Sequence, residues 1–351
     1  MAQNTIRFVG EILLKIRQYT IILLFVIVTV GLSFYSYMGN FDNLNVNEAP
    51  KEAKSDSNDE SFFKTVDYYL IDKSKPFLQL ESTELSTSQQ NTIIVSADPV
   101  GIIYRRNDKG EEVDPINFKA KHSQASLKDK KLYLKEEVEV DMANSNMKAD
   151  AMTIFDSGKL LEAVGSVKTN SFDPKTNDQI LINSDYAMYR PHEQFFEYQK
   201  NVKGNIQRKR KYEENVSFTT DLLTLSMLRN QVEMKGNVTF KKGNLDASSN
   251  QGVVFLENYN KKLKYYSLSD DVRLHETLIM GSKTVVRKAF SEKLEGLISE
   301  KKVILTGLPK VFQENDVIKG NRITIRENIE TVEVDDANTN ITLERDNEKN
   351  I

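Results

Sequence analysis

The chain has 351 residues, a formal net charge of −3, 28% charged and 39% hydrophobic residues, so most of it is composed like a domain folded in water. It has no cysteine, which excludes disulfides, thiolate metal sites, a cysteine nucleophile and a lipid-attachment cysteine. Its three histidines, His122, His192 and His275, lie far apart and form no ligand-spaced pair, so the sequence offers no metal site.

In chain order, residues 1–18 form a short tail that carries Arg7, Lys15 and Arg17 against one acid, Glu11. Residues 18–41 carry no charge, and the apolar run within them predicts a membrane-spanning helix over 19–38. About twenty apolar residues at ~1.5 Å rise cross a ~30 Å hydrocarbon core. Lys15 and Arg17 put the N-terminus in the cytoplasm by the positive-inside rule. A cleaved signal peptide is the alternative, but the run is longer than a usual signal core and no Ala-x-Ala site follows it. Residues 39–60, rich in Asn, Asp, Glu, Lys and Ser, read as a linker. Beyond residue 18 the chain holds 45 basic and 50 acidic residues, which argues against nucleic acid or an anionic membrane surface as a partner.

From Phe62 onward the apolar residues repeat with period 2, as expected of half-buried strands. Leu132, Leu134, Val138, Val140 and Met142 form one run; Ile180, Ile182, Tyr186 and Met188 form another. Ser282–Leu297 is ambiguous between strand and helical turn. A longer repeat overlies this alternation. Val138, Val167, Val202, Val238, Val272 and Val303 recur at intervals of 29, 35, 36, 34 and 31 residues, with Ile341 a weaker last instance. Between them lie strands with a central aspartate, as at Asp150, Asp185 and Asp221. Units of this size bury their apolar faces by stacking. The expected fold is therefore all-β: an elongated, twisted β-jellyroll or stacked two-sheet sandwich, preceded by one transmembrane helix. At ~4.8 Å per rung, about fourteen rungs would span roughly 60–70 Å. Its interior is either a packed core or an apolar slot, and the pattern alone leaves both open.

Other clusters point away from catalysis. The basic run Arg208–Lys211 reads as a solvated hairpin tip, with a phosphate or sugar contact at a groove mouth as the sharper alternative. Asp270–Asp271 and Asp335–Asp336 read as surface turns, since neighbours on a strand face opposite ways. There is no glycine-rich phosphate loop, serine elbow or histidine pair. No catalytic residue, cofactor or metal is expected.

The segments Phe62-Phe63, Val66–Asp72, Leu78–Ser82, Gly101–Tyr104, Phe118–Ala120, Leu132–Val140 and Met147–Asp150, taken in order behind the anchor, resemble the LptC family of lipopolysaccharide-export proteins. Residues 165–345 resemble further units of the LptA/OstA type. The chain departs from the family pattern at Asp72, which is followed by Lys73-Ser74-Lys75-Pro76 rather than Gly-Lys, and in its length. The resemblance implies an LptC-like periplasmic jellyroll over 61–172, LptA/OstA-like repeats over 173–345 with a joint near 170–178, and a disordered tail at 346–351. It further implies a non-catalytic carrier of lipopolysaccharide in a single-pass inner-membrane protein whose bulk is periplasmic. The implied partners are the inner-membrane ABC transporter of the export system and a bridge or outer-membrane jellyroll joined edge to edge by β-augmentation. The implied groove residues are Leu134, Val138, Val140, Met152, Ile154, Val167, Ile182, Met188, Phe196 and Phe218, each equally a core residue or a lipid contact. A structural β-solenoid without lipid cargo is the competing reading.

Overall fold

The computed structural model describes residues 61–72, 74–87, 92–107, 109–174, 176–209, 214–257, 263–280, 283–314, 316–327, 329 and 332–335. The expected transmembrane helix and the segments 1–60 and 346–351 lie outside the described residues. Among the described residues no helix is long and apolar enough to cross a membrane. The described strands fall within one unit, residues 59–351.

The unit is an antiparallel sheet whose long middle strands form a meander. Its first strands are β1 (Ser61–Asp72), β2 (Lys75–Thr87), β3 (Ile93–Ala97), β4 (Val100–Arg106), β5 (Glu112–Lys119) and β6 (His122–Ser126). Ten long strands follow: β7 (Lys131–Met142), β8 (Ser145–Phe155), β9 (Leu160–Phe172), β10 (Gln179–Arg190), β11 (Phe195–Gln207), β12 (Val216–Ser226), β13 (Gln231–Lys242), β14 (Leu245–Leu256), β15 (Leu263–Met280) and β16 (Lys283–Leu297). The chain ends in β17 (Lys302–Thr306), β18 (Lys310–Gln313), β19 (Asp316–Lys319), β20 (Arg322–Arg326) and β21 (Val332–Asp335). From β7 to β16 each strand pairs with the next, and each ladder slips register at mid-strand.

The slips mark a line along which the sheet folds into two arms. At both ends the bent strand is broken there: β3 and β4 pair with opposite halves of β2, and β17 and β18 with opposite halves of β16. In the odd-numbered long strands the bend is a pair of residues with positive φ: Glu136-Glu137, Gly165-Ser166, Lys200-Asn201, Gly236-Asn237 and Asp270-Asp271. A left-handed residue costs ~1–2 kcal/mol unless it is glycine, or a short Asn or Asp that bonds locally. Asn201 and Asn237 do so, donating to Asp185 (2.7 Å) and Asp221 (2.8 Å) on the preceding strand. Gly236 is required twice over, by its φ of +78° and because a Cβ there would collide with the Asp221 carboxylate. The even-numbered strands from β10 to β16 turn differently. A hydroxyl bonds the carbonyl two residues on, at Ser184 (2.9 Å), Thr220 (3.0 Å), Ser249 (2.8 Å) and Ser291 (3.1 Å). These hydroxyls satisfy carbonyls that the ladder leaves unpaired at the bend.

The Val repeat is the first inward residue past each bend: Val138, Val167, Val202, Val238 and Val272 are each 1% exposed. The sixth, Val303, is fully buried but mid-strand; the corresponding bend is at Gly307-Leu308 (φ +79° and +52°), and Val311 follows it. The bend also changes which residues face inward. Odd strands keep their parity, as at Leu134 and Val138, whereas even strands lose a residue, as at Ser184 and Ala187. The alternation expected to run from Ile182 through Tyr186 therefore breaks at Ser184, and Ala187, not Tyr186, takes the interior position. Ser282–Leu297 is strand from Lys283, and the single helical turn follows it at Ile298–Glu300. Asp270-Asp271 is a mid-strand bend rather than a surface turn. Across the expected joint, β9 pairs with β10 from Phe172↔Gln179 onward, so the ladder runs without a break past residues 170–178.

Candidate functional site: an apolar groove between the arms

The inner faces of the two arms enclose one apolar cluster from Leu70 to Ile325. Its first part is closed. Leu134, Val138, Val140, Met152 and Val167 are at most 1% exposed. Ile154 (2% exposed) lies at the floor of a shallow pocket, open to solvent, that Leu70, Phe77 and Leu132 also line.

Between β10 and β15 the arms part around about 900 Å³ of space, some of it continuous with solvent. One arm supplies Ile180, Ile182, Ile206, Val216, Phe218 and Phe240, and the other Leu223, Leu225, Val232, Met234, Leu256 and Leu263. Several of these, including Phe218, Leu225 and Val232, are only partly buried, so hydrocarbon surface remains for a ligand to cover. The Phe218 ring lies over Gly204, its cross-strand partner, where any Cβ would strike it. The structure thus brings Ile182 and Phe218 to this space. Phe196 lies elsewhere, half-buried and stacked on Tyr189 at 4.0 Å and 13°. Met188 is 8% exposed but outside the main cluster, because the bend at Ser184 gives its inward place to Ala187.

Paired charges, Arg208 with Asp178 and Lys242 with Glu214, lie along the rim of one arm. Arg208 bonds Asp178 at 2.8 Å, with side chains 9% and 4% exposed, so it is not a solvated hairpin tip. Lys209 is exposed, and its N–H donates to Asp178 Oδ1 at 2.9 Å. Burial raises the pKa of Asp178, but the Lys209 N–H and Arg208 outweigh it and hold the carboxyl below its ordinary value. Farther along the rim, Lys242 sits between Glu327 (2.7 Å) and Glu214 (2.9 Å). Burial works against its charge, yet these two carboxylates raise its pKa. Arg287 is fully buried and bonds Glu276 (2.7 Å), Gln313 (2.9 Å) and the Ile329 carbonyl (3.0 Å). Hydrocarbon walls with paired charges at the edge can hold an aliphatic chain while its polar end stays at the rim. Among the described residues, no three His, Cys, Asp or Glu side chains are grouped to hold a metal.

Sequence reasoning missed Leu223, Leu225, Val232, Met234 and Asp178, and it singled out Arg208 without its partner. The apolar four alternate like every other strand residue, so nothing in the pattern separates lining from core. The Asp178–Arg208 pair joins residues 30 apart in sequence, which no local motif records.

Fold and site together define a bent antiparallel meander with a hydrocarbon-lined slot, a β-jellyroll type of groove protein. Residues 218–331, which carry much of that slot, match the family model LptD_N, described as LptA/(LptD N-terminal domain) LPS transport protein. Among solved structures, the chain is similar to LptH of Pseudomonas aeruginosa, described as the LptA-homologous periplasmic component of the lipopolysaccharide transport device. That similarity has 13% identity and a TM-score of 0.33, covering 36% of this chain and 95% of that one. No curated protein matches the chain.

Proposed function

We propose that this protein carries lipopolysaccharide through the periplasm without catalysis, sheltering acyl chains in the slot between its arms. The observation that carries the reading is the partly open hydrocarbon space around Phe218 and Leu225, inside the segment that matches the LptA/LptD N-terminal family. Each methylene moved from water into such a space gains ~0.8 kcal/mol, so a few acyl chains outweigh the cost of ordering them. The closed interior around Leu134 and Val140 serves as a rigid support for that slot; this stretch is where the scaffold reading retains its force.

The resemblance of residues 61–172 to LptC-type proteins extends the proposal. The apolar run at 19–38 anchors the chain in the inner membrane, where it meets the ABC transporter. Among the described residues β1 pairs only with β2 and exposes Phe62, Phe63, Tyr69 and Ile71. Such an edge accepts a strand from a neighbouring jellyroll by β-augmentation.

Photo-crosslinking tests the central claim. A photoreactive residue replaces Phe218, Leu225 or Val232 one at a time, with Lys168 and Lys235, exposed on the outer face, as controls. Lipopolysaccharide adducts at the first three and not at the controls support the carrier. A folded protein without adducts supports the scaffold.

A further inference from the structure

We infer that the acyl slot is blind on its β15 side: hydrocarbon chains held between β10 and β14 are stopped there and do not run on toward the C-terminal strands. The inference rests on the carrier reading and specifies what the slot admits.

Two rings close the space from opposite arms. Phe240 on β13 and Tyr266 on β15 stack at 4.6 Å and 27°. Tyr266 is held there by its neighbour Gly296, since any Cβ at that position would strike the ring. Phe240 lines the slot, whereas Tyr266 is fully buried, so the stack is the end wall.

Behind the wall the inward positions change chemistry. Glu276 follows Val272 and Leu274 on the inner face of β15, and Arg287 lies between Val285 and Ala289 on the inner face of β16. Their pair is nearly inaccessible to solvent, at 3% and 0%. From the other arm the turn after β20 reaches across. Glu327 bonds Lys242, which lies 85 residues earlier, and the Ile329 carbonyl accepts from Arg287. The Tyr266 hydroxyl and Glu327 Oε1 are buried without a hydrogen-bond partner, so the face of this region is polar and offers an alkyl chain nothing. The apolar residues beyond, Leu268, Leu294, Val303, Leu305 and Val311, are fully buried and leave no space for one. An amphiphile therefore enters along the rim between the Asp178–Arg208 pair and Lys242. That stretch is two strand spacings wide, about 10 Å.

The test uses the full-length chain in detergent and an alkyl phosphate that carries a diazirine at the end of its chain. Labelled residues are mapped by mass spectrometry. Label on residues 180–263 at least tenfold above that on 268–326 is expected. Tyr266→Ala removes half the wall and should carry label onto Val272 and Leu274. Tyr266→Leu removes the ring while keeping an apolar side chain at the position, and should do the same if Tyr266→Ala does not fold. Wild-type label spread within twofold over both segments overturns the inference, as does an unchanged map in a folded variant. Absence of label from both segments instead sinks the carrier reading itself.

Discussion

Thr220→Val tests the account of how the sheet bends. The Thr220 hydroxyl is buried and lies 3.0, 2.9 and 3.2 Å from the carbonyls of Leu222, Lys235 and Gly236, among which its one proton is shared. Valine keeps the shape, so no cavity forms, but carbonyls at the bend lose their donor. A buried acceptor left without a partner costs ~1–3 kcal/mol. A value of ~2 kcal/mol lowers Tm by about 3 °C in a unit of this size. Calorimetry measures the shift, and hydrogen exchange should show faster opening at Leu222 and Val238. Thr219→Val is the control: its hydroxyl pairs with Thr239 at 2.7 Å on the outer face, and its loss should cost no more than ~0.5 kcal/mol. Equal effects from the two substitutions would refute the idea that the inward hydroxyl stabilises the bend.

Gly296→Ala should destabilise by ~1–3 kcal/mol through overpacking against the Tyr266 ring, and Tyr266→Leu should relieve the loss; a neutral Gly296→Ala in urea denaturation would contradict the packing described. Arg287→Met deprives buried Glu276 of its guanidinium and should cost ~3–5 kcal/mol, while Glu276→Leu/Arg287→Met should lie near wild type; comparable losses in single and double variants would show that the charges do not act as a pair. Glu139 is held at a pKa of about 2, chiefly by Lys119 at 2.8 Å, then by Asn146 and Lys148. Its folded value lies below the unfolded ~4.3, so the stability it contributes is present above that value and lost as pH falls toward 2. Glu139→Gln should therefore cost up to ~1 kcal/mol at pH 7, a gap that closes by pH 2; a gap independent of pH would exclude the linkage.

Much of this architecture is visible in the sequence, because alternation and the spaced valines both follow from it. Val138, Val167, Val202, Val238 and Val272 recur because each is the residue that re-enters the core after a bend. The bend itself was legible only in part. Asp150, Asp185 and Asp221 stand out as repeats, but their role against the following strand depends on a pairing that the sequence does not state. The hydroxyl before the bend, as in Ser184-Asp185, Thr220-Asp221 and Ser249-Asn250, is a usable signal once its purpose is known. Without it, the side of the sheet assigned to Tyr186 and Met188 is off by one residue. The slot was not legible, because Phe218 and Leu134 have the same pattern. Only the separation of the arms distinguishes a wall from a core.

From β9 to β16 each strand touches mainly the strand before and the strand after it, and each pair of strands carries one bend of either kind. A hairpin inserted or deleted in this stretch leaves the register of its neighbours intact, provided that it brings its own glycine or asparagine and its own hydroxyl. In such a ladder, energies add between nearest neighbours. Length is then a quantity that evolution can change two strands at a time, without redesigning what is already built.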